Sequence, residues 1–180
     1  MPQLLALSLS IGVLGAIWAF LALGPLAGFL LVWAGFIGWG CFFHNGADNK
    51  ALIKTCAGNV YGAIVAWIAF LIISHIPIPA LGAVWPAIVV GVTVFFLVYV
   101  ASIDPLSSVP ANVYGYAALV AYTLHEKGTA ETGGPMTHLA SASFANPLVI
   151  IVVSLVIGAL FGYVSNQLAK SLGKHSAAHA

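Results

Sequence analysis

Apolar residues fill six stretches of the chain, and short polar or Gly/Pro segments separate them. The first runs from Gln3 to Leu23 and breaks at Gly24-Pro25; the second runs from Leu26 to Phe43 and ends at His44-Asn45-Gly46-Ala47-Asp48-Asn49-Lys50. The third spans Ala51 to Ser74 and stops before His75-Ile76-Pro77-Ile78-Pro79. The fourth spans Leu81 to Ala101, the fifth Val109 to Leu124, and the sixth Pro147 to Leu168. About 20 apolar residues in a helix cross the hydrocarbon core of a bilayer. The pattern therefore predicts an all-α polytopic membrane protein with six transmembrane helices. The fifth stretch starts at Pro110, carries Asn112, Tyr114, Gly115 and Tyr116, and is barely long enough. It is either a short crossing or a re-entrant half-helix shielded from lipid.

Composition strengthens the membrane reading and narrows the chemistry. Charged residues make up 5% of the 180 and apolar residues 62%, against about a quarter charged in an ordinary soluble domain. Such a chain cannot cover itself with polar surface, so lipid is its solvent. All five basic residues are lysines and the net charge is +1. A nucleic-acid partner needs a clustered basic footprint, which is absent. The N-terminus lacks the basic region of a signal peptide, so the first stretch is expected to remain as a membrane helix. Residues 1–168 then form a single helical domain, followed by a polar tail, 169–180, expected to be disordered. Lys50 and Lys54 flank the loop after the second stretch, and Lys170 and Lys174 follow the last. Six crossings place both pairs on one side, which the positive-inside rule makes cytoplasmic, together with both termini. The loop before the last span carries Lys127 but also Glu126 and Glu131.

Two internal likenesses suggest duplication, and they conflict. One pairs spans two and three with five and six: Gly35-Phe36 through His44 resembles Gly115-Tyr116 through His125, and Gly58/Gly62 answers Gly158/Gly162. Halves of three spans each would be inverted in the membrane, a 3+3 repeat. The other is the literal repeat Asn59-Val60-Tyr61-Gly62 and Asn112-Val113-Tyr114-Gly115, which pairs span three with span five. One duplication cannot produce both registers.

Few residues within the spans carry chemistry. Gly58/Gly62 and Gly158/Gly162 are small-xxx-small motifs that allow close helix packing, within a bundle or between subunits. Asn59 shares a helix face with Thr55, and a buried amide is costly unless it is hydrogen-bonded. It either bonds a neighbouring helix or faces a water-filled path. Lys54 lies one turn from a helix start and can extend its ammonium to the surface. Asp104, before Pro105, is a turn residue able to pair with a lysine on its side. Cys41 and Cys56 sit in apolar runs and are expected to be free buried thiols. His44 and His125 terminate spans, where interfacial roles suit them, and no metal site is expected. His138 lies in the long loop, and His175 and His179 in the tail. No catalytic constellation or phosphate-binding loop is present, so neither an enzyme nor a cofactor is expected.

Three segments, Trp33-Ala34-Gly35-Phe36-Ile37-Gly38, Val109-Pro110-Ala111-Asn112-Val113-Tyr114-Gly115 and Gly158-Ala159-Leu160-Phe161-Gly162-Tyr163, resemble the YcdZ-type family of small bacterial inner-membrane proteins of unknown function. With matching span order, the likeness covers most of the chain apart from the tail and parts of the long loop. That loop is longer and richer in Thr, Ser and Gly than the family pattern. The resemblance implies a bacterial inner membrane and supplies no activity.

Nearly charge-free spans that still carry amides and aromatics suit a passive channel or facilitator. Its solute would be small and neutral or weakly ionised, such as urea, ammonia or a short-chain acid. A coupled pump would carry intramembrane charges, whereas a neutral solute needs aromatic walls and a few hydrogen-bonding groups. Wall roles are assigned to Trp39, Tyr61 and Tyr116, and hydrogen-bonding roles to Asn59, Asn112 and His125. The expected partners are the bilayer, the solute and further copies of the chain, with the glycine motifs at the contacts between copies. The competing expectation is a non-transporting scaffold or partner-binding subunit, since helix packing could account for every buried polar group.

Overall fold

The computed structural model describes residues 2–128 and 133–177, with side chains as far as residue 173. Its helices are α1 (Gln3–Leu23), α2 (Val32–His44), α3 (Asn49–His75), α4 (Val84–Tyr99), α5 (Val109–His125) and α6 (Pro147–Ala177), with four short 3-10 turns in the connections. The protein is a helical membrane protein with several spans. Four helical stretches, Gln3–Leu23, Asn49–His75, Val84–Ser102 and Pro147–Gly173, are long and apolar enough to cross a bilayer. The other two helices fall short. At 1.5 Å per residue α2 measures about 20 Å and α5 about 26 Å, against about 30 Å of hydrocarbon.

Local chemistry explains the short pair. The apolar run Leu26–Phe43 is not one helix. Pro25 interrupts the amide ladder, Gly28 adopts a positive φ of 85°, and α2 begins only at Val32. Before α5, two 3-10 turns, Val100–Ser102 and Asp104–Leu106, carry the chain inward. Ser108 then caps α5, its Oγ accepting from the Ala111 amide, with Pro110 in the first turn. A proline there forfeits no intrahelical bond. At the other end of the chain, α6 continues well past Leu168 to Ala177. Residues 169–177 are thus helical, while Glu131, His179 and the side chains of Lys174 and His175 lie outside the described residues.

Two pairs of helices form the core, α3 against α5 and α2 against α6, with α3 also touching α6. Helices α1 and α4 lie outside, α1 on α6 and α4 on α3. Both core pairs run parallel. Asn45, at the start of the α3 hairpin, binds Ser108 at the start of α5. Leu31 N–H, at the start of α2, donates to Ser154 early in α6, and Asn166 late in α6 reaches Ala47 beyond the end of α2. Since α2 turns back into α3 within four residues, the two pairs point in opposite directions.

The same contact is built twice. A Cβ added to Gly62 would overlap the Asn112 carbonyl, and one added to Gly115 would overlap that of Asn59. In the other pair, Gly158 meets the Gly35 carbonyl and Gly38 meets that of Leu155. Each helix thus offers a glycine to its partner's backbone and receives one in return. Superposing these contacts matches Gly62 with Gly158, Asn59 with Leu155, Gly115 with Gly38, and Asn112 with Gly35. The N-caps Ser108 and Leu31 fall into the same register, as do the buried residues Trp39 and Tyr116. The literal Asn-Val-Tyr-Gly repeat therefore marks the symmetric crossing of α3 with α5. The likeness of spans two and three to five and six corresponds to these two helix pairs, but not in the register read from the sequence: Gly35 matches Asn112 and not Gly115, and Gly158 matches Gly62 and not Gly58. The two likenesses reflect two different relations.

Candidate functional site: a furrow over buried amides

Helices α2 and α5 touch only lightly along their seam. Hollows line up along it. One of about 470 Å³ is bounded by Phe36, Ile37, Gly40, Cys41 and His44 of α2 and by Tyr114 and Ala117 of α5. The next, about 220 Å³, lies between Trp33 and the end of α5 at Ala121, Tyr122, His125 and Glu126. Tyr122 and Glu126 also border a third hollow of about 350 Å³, beneath the loop that carries Pro135 and His138. Together they form a furrow along the bundle, apolar in its middle and polar at both mouths. A Cβ at Gly40 would meet nothing within 4 Å, so this glycine leaves the furrow open. His44 guards one end, its ring edge-on to Tyr114 at a centroid separation of 6.1 Å.

Two loops shape the ends. At the His125 end, Trp67 Nε1–H donates to Leu139 O at 2.8 Å, and Asn146 Nδ2–H donates to Leu139 O and Ser141 O. Phe144 packs edge-on against Phe29. These bonds hold the loop before α6 over the bundle. At the opposite end Asn45 joins three elements. Its Nδ2 donates to Thr55 Oγ1 at 2.7 Å and contacts Cys41 Sγ at 3.6 Å, while its Oδ1 accepts from Ser108 Oγ at 2.6 Å. Lys54 pairs with Asp104 at 3.4 Å on this same face, both in contact with solvent. Among the described residues no charged side chain is buried.

Behind the furrow lies the α3/α5 crossing with its two amides. Asn112 is fully buried, and its Nδ2 donates to Leu97 O at 3.1 Å and Leu106 O at 3.0 Å. Its Oδ1 accepts nothing. Asn59 is fully buried too, and neither its Nδ2 nor its Oδ1 has a partner. Each such unmet group costs about 1–3 kcal/mol. Thr55, one turn earlier on the same helix face, connects through Asn45 to Cys41 on the furrow wall. Asn59 therefore lies one turn further along α3 than the polar cluster of Asn45, Thr55 and Ser108.

The other predicted residues occupy different surroundings. Tyr61 donates its hydroxyl hydrogen to Phe96 O of α4 at 3.1 Å. The Tyr116 hydroxyl lies 3.1 Å from Thr93 Oγ1, also on α4. Trp39 is buried on the far side, stacked on Phe36 and tilted against Phe161. His125 is exposed at the furrow mouth. Only Asn59 and Asn112 belong to one crossing, and no hydrogen bond joins their side chains. Gly58 and Gly62 are buried against α5, and Gly158 and Gly162 against α2. Contacts within the chain consume these four glycines, so they are not free to serve contacts between copies. Sequence reasoning missed Asn45, Ser108 and Gly40. A polar cap directly after an apolar run was the available signal for Asn45.

Among the described residues no three His, Cys, Asp or Glu side chains gather as a metal set, and both cysteines are free. The chemistry on offer is that of amides, hydroxyls and aromatic rings. No curated protein and no solved structure is detectably similar to the chain. A family model does match, over residues 8–170, which spans the bundle from the first turns of α1 to near the end of α6. The chain therefore belongs to the family described as Protein of unknown function (DUF1097).

Proposed function

We propose that the protein is a passive membrane facilitator for a small neutral or weakly ionised solute of the urea, ammonia or short-chain acid type. The observation that carries this reading is the α2/α5 furrow, polar at both mouths, lying over a buried amide with no partner. The absence of buried charge among the described residues favours passive movement over coupling to ions or voltage. The paired crossings support a 3+3 inverted repeat with six crossings, in which α2 and α5 are the short members of each half. Inverted repeats commonly place their solute site near the midplane, beside discontinuous or shortened helices. Lys50, Lys54 and Lys170 share one face of the bundle, which we assign to the cytoplasm, in a bacterial inner membrane. The furrow is open along its outer flank, where Trp33 and Phe36 are 40% and 44% exposed. We place a second copy of the chain there.

Purified protein in vesicles tests the reading. Stopped-flow measurements should show permeability to at least one solute of a urea, ammonia and formate panel above that of empty vesicles. Gly40→Phe, which fills the furrow, should abolish the excess. Vesicles as tight as empty ones to the whole panel would reject facilitation and favour the scaffold reading.

A further inference from the structure

The two crossings are near-copies in backbone geometry, and they differ in what they bury. Where α3 carries Asn59, α6 carries Leu155; where α3 carries Thr55, α6 carries Ile151; all four are fully buried. Where α5 carries Asn112, α2 carries Gly35, on which Trp18 packs. Leu155 shows that this crossing closes around an apolar side chain. The amide of Asn59 is therefore not needed to pack the helices, and it is kept without any protein partner.

We infer that the Asn59 amide, together with Asn112 Oδ1, is a binding site for a primary carboxamide of the urea class. This deepens the reading given under Proposed function and rests on it. A free side-chain amide presents an N–H donor and a carbonyl acceptor side by side. A primary amide matches that edge with two antiparallel hydrogen bonds: its carbonyl accepts from Asn59 Nδ2 and its N–H donates to Asn59 Oδ1. A further N–H of the solute satisfies Asn112 Oδ1, whose own Nδ2 is committed to Leu97 and Leu106. Water or ammonia touches the same edge at a single point. A carboxylate offers acceptors where Asn59 Oδ1 and Asn112 Oδ1 need donors, and no buried cation among the described residues offsets its charge. The approach is from the furrow, past Cys41 and Thr55. Gly58, whose Cβ would press on Ala111 Cβ and Asn112 Oδ1, lets α5 close tightly here, so the solute enters only as the two helices part.

The test is the ratio of urea to ammonia permeability in vesicles holding the full-length chain. Two variants are compared with the wild type: Asn59→Leu, which installs the residue of the matching crossing, and Asn59→Ala, which cannot clash. The ratio should fall about tenfold in both, the worth of one buried hydrogen bond, and formamide should compete with urea in the wild type only. An unchanged ratio in the folded Ala variant overturns the site. Wild-type vesicles that pass ammonia but not urea also overturn it, while leaving facilitation standing. Vesicles tight to both overturn the site and the reading beneath it.

Discussion

At Gly62 and Gly115 the missing side chains admit a neighbour's backbone, so substitution there acts on packing before it acts on any solute. Gly62→Val would drive a branched side chain into the Asn112 carbonyl and should destabilise the bundle by about 3 kcal/mol, the upper range for overpacking. Gly12→Ala, whose added carbon meets nothing within 4 Å, should cost no stability and add up to about 1 kcal/mol through helix propensity. Denaturant unfolding in mild detergent distinguishes the two. Sequence reasoning found Gly62 because small-xxx-small spacing has a single packing consequence, and it read Gly115 only as part of an internal likeness. It could not tell contacts within the chain from contacts between copies, since a glycine records closeness and not the identity of the partner. Asn59 was legible as a costly buried amide. Its lack of a partner was not, because every helix around it comes from a distant part of the sequence.

At the scale of elements, the two shortest helices matter most. Each begins inside the bundle and not at its edge: α5 packs its first turn on Gly58 of α3, and Leu31 at the head of α2 reaches Ser154 of α6. Hydropathy marked the shortness of α5, because Pro110 and the polar residues after it interrupt the apolar run. It overestimated α2, because Leu26, Phe29, Leu30 and Leu31 are as apolar in a turn as in a helix. The loop before α6 makes a separate prediction. Trp67→Phe removes the bond to Leu139 O but keeps the aromatic bulk, so it should raise proteolytic cleavage between residues 126 and 146. Helix content by circular dichroism should stay the same. Equal protection in the two proteins would mean that Asn146 and the Phe29–Phe144 contact suffice to hold the loop.

For the whole molecule, the alternating helix directions bring the start of α1, the α2–α3 turn, the 100–108 connection and the end of α6 to one face. Asp48, Lys50, Lys54, Asp104 and Lys170 gather there, while Glu126 and Lys127 lie opposite. Reporters fused after Ala180 and inserted after Gly46 should both report the cytoplasm, and one inserted after Lys127 the other side. A split between the first two would break the six-crossing reading. The sequence by itself determined the solvent of this protein, the helical class, most helix limits and the scarcity of buried charge. These follow from transfer free energy and hydrogen bonding, which are properties of local composition. Only the tertiary structure decided that two likenesses in the sequence are two relations, one the crossing of α3 with α5 and one the likeness of that crossing to the contact of α6 with α2. It also decided that one crossing closes over leucine and the other over an unpaired amide. Those outcomes depend on which distant backbones approach within van der Waals contact, and no single stretch of chain carries that information.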